Sequence, residues 1–220
     1  MDVTQDDSVR EGIERIVASE GRLDIVINSA GMGIAGAVED TSAEEARQQL
    51  DVNFLGVLRV CRAALPSMRA QRSGHIVTIG SIGGLVAIPF QGLYSASKFA
   101  LEGLMESLRM EVKDFGIRVV LIEPGDYRTG FTGHRVLTRE SNSNSAYHAR
   151  FTRAVGRMTE DEQKGPLPDG VARLAKKLVE MRDPRLRYTT GPLNQRAAVW
   201  LKRFTPNRLV EKIVASYYSG

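Results

Sequence analysis

The sequence predicts an α/β fold, a parallel sheet wound on both faces by helices, and three observations predict it. Short runs rich in β-branched residues recur along the chain at 23–28 (LDIVIN), 74–80 (GHIVTIG) and 116–122 (GIRVVLI). Continuous apolar runs of this kind suit strands covered on both sides. Helix-length amphipathic stretches separate them, and strand–helix alternation means parallel pairing through crossover helices. The residues best suited to chemistry fall just after these runs, at the carboxyl ends of the strands, where such sheets bind ligands.

Asp2-Val3-Thr4 reads as a strand end, followed by a polar amphipathic helix to about Ser19. After the strand at 23–28, Gly31-Met32-Gly33-Ile34-Ala35-Gly36 is a literal G-x-G-x-x-G, with Asp51 about twenty residues further on. A phosphate-binding fingerprint needs a helix opening at the glycines and an acid ending a second strand. Here Val38-Glu39-Asp40-Thr41 intervenes and Asp51 falls inside the next helix, so the match reads as a decoy. Ser42 with Glu45 forms a capping box, opening a helix that carries Asn53 and runs to about Arg69, with Pro66 near its end. The strand at 74–80 delivers Ser81, and Gly83-Gly84 give the following loop freedom to bring it towards the next helix. That helix, about Leu93 to Phe115, carries Phe99, Leu101, Leu104, Met105, Leu108 and Val112 as its apolar positions. The strand at 116–122 is closed by Pro124-Gly125. From Phe131 to about Pro168 periodicity weakens, which reads as a lid or a disordered loop. Asp169–Met181 then reads as a helix and Arg185–Thr190 as a last strand. Leu193–Tyr218 reads as an amphipathic helical tail bearing Trp200 and Phe204, packed on the domain or on a sister subunit. The whole, residues 1–220, is expected to be one domain.

The chemistry concentrates between Ser81 and Lys98. Tyr94 and Lys98 are four apart and share a helix face about one turn, ~6 Å, along the axis; Ser81 lies thirteen positions before Tyr94. A phenol beside an ammonium, with a hydroxyl in reach, is a proton-transfer site in outline. Free tyrosine titrates near ~10, too high for a base at neutral pH. A cation ~4 Å away in a half-buried site contributes about 4 kcal/mol at an effective dielectric of ~20, roughly three pKa units before desolvation is charged against it. A shift of that size is what such chemistry needs, so Lys98 is expected to lower the Tyr94 pKa.

Ser81 followed by Tyr94-Ser95-Ala96-Ser97-Lys98 resembles the Ser…Tyr-x-x-x-Lys signature of the short-chain dehydrogenase/reductase family. Asn28-Ser29-Ala30-Gly31 is similar to its Asn-Asn-Ala-Gly element, Asn53 falls at its helix asparagine, and Pro124-Gly125 with Thr129 resembles its Pro-Gly-x-x-x-Thr. The likeness runs in order from Met1 to Thr129, and the phrase from Ser81 to Glu106 resembles hydroxysteroid- and retinol-dehydrogenase-like members. The resemblance implies a Rossmann-like doubly wound fold and hydride transfer between NAD or NADP and a carbonyl or secondary alcohol, bulky and apolar. It implies that Tyr94 moves the proton, Lys98 tunes Tyr94 and binds the nicotinamide ribose, Ser81 holds the substrate oxygen, and Asn53 holds a water linking Lys98 to solvent. It further implies Asp2 and Val3 at the adenine, Asn28, Ala30 and Gly31 along the adenosine, and Pro124, Gly125, Tyr127 and Thr129 around the carboxamide. The 131–168 segment would lie over the substrate, and the helices bearing Asn53 and Tyr94 would pair subunits into a homodimer or homotetramer. The family opens with a strand, a Gly-rich phosphate turn and further elements ahead of the strand ending in Asp-Val/Leu-Thr. This sequence opens at that strand end, so the fold is expected to be N-terminally truncated, with Met1 an interior methionine of a longer reading frame. The strand at 23–28 would then be an exposed apolar edge.

The 220 residues are 42% hydrophobic and 25% charged, which suits one soluble domain with a sizeable core. No apolar run approaches the ~20 residues of a membrane span, and no signal-peptide pattern opens the chain. The single cysteine, Cys61, reads as a core thiol, precludes an intrachain disulfide and fits a reducing cytoplasm. His75, His134 and His148 show no ligand spacing, so no metal is expected. The net charge of +4 comes from scattered arginines and reads as a solvated surface, not a nucleic-acid footprint; attraction of an anionic dinucleotide is the milder use for it. Two rival readings stand beside the oxidoreductase. Ser95-Ala96-Ser97-Lys98 is a literal S-x-x-K of acyl-transfer enzymes, but the companion S-D-N and K-T-G elements are absent and Tyr94 would be idle. The other is a truncated, non-catalytic fragment or interaction module.

Overall fold

Four parallel strands form the central sheet of the computed structural model, which describes residues 1–219. They are β1 (Ile25–Asn28), β3 (Gly74–Ile79), β4 (Ile117–Pro124) and β6 (Arg187–Thr190), paired in the order β1-β3-β4-β6. Two short strands, β2 (Ile34–Ala35) and β5 (Val136–Leu137), pair in parallel beside the sheet. The helices are α1 (Asp6–Glu20), α2 (Ala43–Leu50), α3 (Gly56–Gln71), α4 (Gly92–Val112), α5 (His148–Lys164), α6 (Asp169–Glu180), α7 (Leu193–Lys202) and α8 (Asn207–Ser219).

Alternation along the strands sorts the core into two layers. Ile76, Val119 and Leu121 face α1, α3 and α4, where they meet Val60, Leu101 and Met105. Val77, Val120 and Ile122 face the other way and meet Leu178 and Ala175 of α6. Each of those strand side chains is fully buried, at about 1.5–3 kcal/mol per large aliphatic group. β1 departs from this pattern. Val26 enters the first layer, but Ile25 and Ile27, on the α6 side of the sheet, are 44% and 50% exposed. Among the described residues β1 pairs on one side only, with β3. The apolar edge expected from the sequence is therefore present.

Four readings of the sequence need correction. Asp2-Val3-Thr4 forms no strand: Asp2 Oδ1 accepts the Thr4 amide at 2.9 Å, a side-chain turn that leads into α1. The capping box at Ser42 and Glu45 is formed, but the helix it opens is interrupted by a π-helical turn, Asp51–Leu55, with Asn53 at its centre. The segment from 131 to 168 is no structureless loop, for most of its second half is α5. Phe151, Ala154 and Met158 bury one stripe of that helix, a helical spacing that the polar residues between them obscured. The tail is two helices, broken where Pro206 cannot continue α7. α8 is held on α5 by Tyr217, whose hydroxyl donates to Asp161 and accepts from Arg157, the guanidinium lying 4.5 Å from its ring centre.

The G-x-G-x-x-G behaves as expected of a decoy, since β2 and not a helix follows its first glycines. Its last glycine is a packing requirement: a Cβ on Gly36 would fall 2.0 Å from Thr138 Oγ1. Gly116 meets a harder constraint. It has a φ of +71°, and a Cβ there would fall 2.4 Å from the Arg72 carbonyl oxygen. Gly116→Ala is therefore expected to lower stability by at least about 1–3 kcal/mol through backbone strain alone, read as a fall in the urea midpoint with the m-value unchanged.

Candidate active site

The strands end where the candidate residues begin. β3 gives way to Gly80 and Ser81, and Ser81 takes an extended conformation that caps the short 3-10 turn Ile82–Gly84, its Oγ accepting the Gly83 amide at 3.0 Å. That turn lies tight on α4: a Cβ on Gly84 would stand 2.9 Å from the Lys98 carbonyl oxygen, so glycine there sets how closely the loop approaches the helix. Tyr94 is in the first turn of α4, with its hydroxyl beside Ser81. The Phe131 ring leans on it from the far side, centres 5.6 Å apart. Lys98, one turn on and 6% exposed, donates to the Ile79 carbonyl at 2.9 Å.

The expected Tyr94–Lys98 coupling is overridden by burial. Nζ of Lys98 is 5.8 Å from the Tyr94 ring centre because the Ile79 carbonyl holds it. Desolvation pushes the Tyr94 phenol up to about 12, against a smaller downward pull from the Ser81 hydrogen bond. The same loss of water pushes the Lys98 ammonium down to about 8, with Glu123 opposing. At neutral pH the phenol is therefore protonated.

Asn53 lies beneath this group and is 1% exposed. Its Oδ1 accepts the Met32 amide at 2.9 Å, while Nδ2 donates to the Met32 carbonyl and to Ser97 Oγ, each at 3.0 Å. The π turn thus aims Asn53 across the gap between the loop after β1 and α4. Above it, a Cβ on Gly31 would stand 3.6 Å from Asn53 Oδ1 and 4.0 Å from Lys98 Nζ.

One large cavity, about 1410 Å³, opens at the carboxyl edge of the sheet. Gly31, Ser81, Tyr94, Lys98, Pro124, Gly125, Tyr127 and Thr129 all line it. Four residues that the resemblance assigned to the cofactor lie outside its wall. Asp2 is spent on the turn before α1, and Val3 packs against Gly56 while its carbonyl accepts from Arg59. Asn28 points into the first core layer and donates to Thr78 Oγ1 at 3.2 Å. Ala30 is exposed beside the loop. The S-x-x-K reading also meets an obstacle: Ser95 is 2% exposed and accepts the Ile88 amide, outside the cavity wall, while Lys98 turns to Ile79.

Sequence reasoning missed three groups here. Phe131 and Met158 come from the segment whose order was not legible. Glu123, fully buried at the end of β4, accepts the Ser81 amide at 2.8 Å. A lone carboxyl closing the apolar run of β4 was the available signal for it.

Comparison with known proteins bears on this geometry. The short chain dehydrogenase family description matches residues 1–140, more than half of the chain. A 3-ketodihydrosphingosine reductase of Bacteroides thetaiotaomicron is 41% identical over 219 residues, 100% of this chain and 81% of that one. Human retinol dehydrogenase 8 is 42% identical over 133 residues, 60% of this chain and 42% of its own. A short-chain dehydrogenase/reductase of Burkholderia phymatum, solved in complex with NAD, superposes with a TM-score of 0.80 at 26% identity, over 93% of this chain and 73% of that one.

Asn53 is both a polar hub and a lock on the loop after β1. Asn53→Ala leaves the Met32 amide and the Ser97 hydroxyl without their buried partner and is expected to cost about 2–3 kcal/mol in urea unfolding. Asn53→Asp, which cannot donate to both Met32 and Ser97, should cost no less.

Proposed function

The chain belongs to the short-chain dehydrogenase/reductase family, and we propose that it reduces a bulky apolar ketone at the group Ser81, Tyr94 and Lys98. It is an NAD(P)-dependent oxidoreductase with a Rossmann-like α/β fold. The observation that carries the proposal is the meeting of a protonated phenol, a hydroxyl and an ammonium in the wall of one cavity.

The residues present fit a dinucleotide. A volume near 1410 Å³ exceeds the ~300–1,000 Å³ of most small-molecule pockets and leaves room for two molecules. Lys98, Lys176 and Lys212 are in its walls, where they can meet anionic phosphates. When bound, the nicotinamide supplies the hydride to the carbonyl carbon. In the proposal Tyr94 gives its proton to the substrate oxygen as that oxygen gains the electron pair. Ser81 Oγ, beside the Tyr94 hydroxyl, holds the same oxygen in reach, and the Lys98 ammonium steadies the phenolate left behind. The burial that keeps the phenol protonated favours the reductive direction. Gly31 and the 124–129 loop are proposed to lie along the cofactor, and Asn53 to position Lys98 and the loop after β1.

Apolar groups support the substrate class: Val86, Ile88, Phe131 and Met158 surround the Tyr94 end, and Val199 and Ile213 come from the tail. The relative named a ketone reductase is consistent with it. We read 1–220 as one domain in which 131–168 roofs the substrate and 193–218 closes the cavity. Homo-oligomer formation through the helical segments bearing Asn53 and Tyr94 is proposed on exposed Leu55 and Met110, and a cytoplasmic location on the buried free thiol of Cys61. Identity over the full chain to a reductase disfavours the non-catalytic module.

NADH and NADPH binding to the 220-residue chain, followed by fluorescence, tests the proposal. Saturable binding is expected. Tyr94→Phe should retain it while turnover of 3-ketodihydrosphingosine falls by about 10²–10⁴. Full turnover by the phenylalanine variant would remove Tyr94 from the mechanism.

A further inference from the structure

Glu123 closes the apolar run of β4 and is wholly buried. Its Oε2 accepts the amide of Ser81 at 2.8 Å, so it grips the backbone of the residue whose hydroxyl meets Tyr94. Its Oε1 has no partner among the described residues, and Gly80 leaves that oxygen its space, for a Cβ there would fall 2.1 Å away. Beside it stands Glu102 of α4, 8% exposed, whose Oε1 is likewise without a partner. The two carboxyl groups are within hydrogen-bonding reach of each other. Glu102 Oε2 accepts Nε of Arg187 from β6, and Arg187 also pairs with Glu106 at 2.6 Å.

Two adjacent buried carboxylate oxygens, each without a donor, are an unfavourable arrangement of two anions. A single proton between them satisfies both at once. Glu102 already accepts from Arg187 through Oε2, so the proton is assigned to Glu123. The other groups facing Glu123 are on α4: the Lys98 ammonium, which favours a carboxylate there, and the Tyr94 phenol, whose ionisation a carboxylate would oppose.

We propose that Glu123 is a protonated positioning residue, which shares one proton with Glu102 and so holds Ser81 against Tyr94 without setting a second anion beside the phenol. Burial first, then Glu102, push the Glu123 carboxyl well above the ordinary carboxylate range, in accord with that arrangement. The folded chain then holds a proton that the unfolded chain has released by neutral pH. Stability from this group is full below the ordinary carboxylate range and falls as pH rises through neutrality. The functional half of the proposal rests on the oxidoreductase reading of Ser81 and Tyr94; the proton and the backbone grip do not.

The experiment compares the full chain with Glu123→Gln and Glu123→Ala. Infrared spectra near neutral pH should show the carbonyl stretch of a protonated buried carboxyl, absent in the glutamine variant. The fall in stability between about pH 6 and 8 should be shallower in that variant. Exchange of the Ser81 amide should be slow in wild type and glutamine and fast in alanine. With 3-ketodihydrosphingosine as the ketone, Glu123→Ala should lower kcat by about tenfold, the weight of one buried hydrogen bond, with little change in KM for the nicotinamide cofactor. Glutamine, which can still accept the Ser81 amide, should restore most of that loss. An infrared band indifferent to Glu123→Gln, Ser81 exchange unchanged in the alanine variant, or glutamine no better than alanine overturns the proposal. No reduction by the wild type overturns the substrate reading instead, and the infrared and exchange results still decide the proton and the grip.

Discussion

A strand buried on both faces presents its solvent-facing and reactive polar groups at its ends. β3 and β4 are such strands, with Ile76, Val77 and the run Val119–Ile122 fully buried between two helical layers. The polar residues that follow, Ser81 after β3 and Glu123 at the end of β4, are therefore delivered to one edge of the sheet. Parallel pairing makes that edge the same for both strands, with Thr78 opposite Leu121 and Ile79 opposite Ile122. The location of the site is a consequence of covering the sheet twice.

The same burial governs the electrostatics. Tyr94, Lys98 and Glu123 each lose water, and in each the uncharged form gains: the phenol to about 12, the ammonium down to about 8, the carboxyl upward. Pairwise attraction is secondary in the resting site, where Lys98 donates to the Ile79 carbonyl and burial dominates. Desolvation decides the protonation state at rest, and the hydrogen bonds decide where each group points. For Glu123 burial favours the proton and outweighs the opposing Ser81 amide, which supplies the direction.

Irregular backbone completes what regular elements begin. The π turn at Asp51–Leu55 turns Asn53 across to Met32 and Ser97, fixing the loop after β1 against α4. The β2–β5 pair and Gly36 let the 131–168 segment lie close beside the sheet and set Phe131 on Tyr94. On the α6 side of β1, Ile25 and Ile27 continue the cavity wall, so the exposed edge and the ligand cavity share one apolar surface.

The sequence by itself determined the layer architecture, because strand runs and amphipathic helices are local patterns that burial enforces one residue at a time. It also determined that Ser81, Tyr94 and Lys98 would meet, because a helical turn and a strand end fix their places. Helix α5 escaped because its buried stripe, Phe151, Ala154 and Met158, is diluted by charged residues that serve the surface. The tertiary structure alone decided the Glu123–Glu102 contact, the turn of Asn53 and the Ile79 carbonyl as the partner of Lys98. It also decided that Asp2, Val3 and Asn28 serve turn and core. Each of these depends on what stands opposite in space, a carbonyl, a carboxyl or an amide from a distant part of the chain, and on how much water their meeting removes.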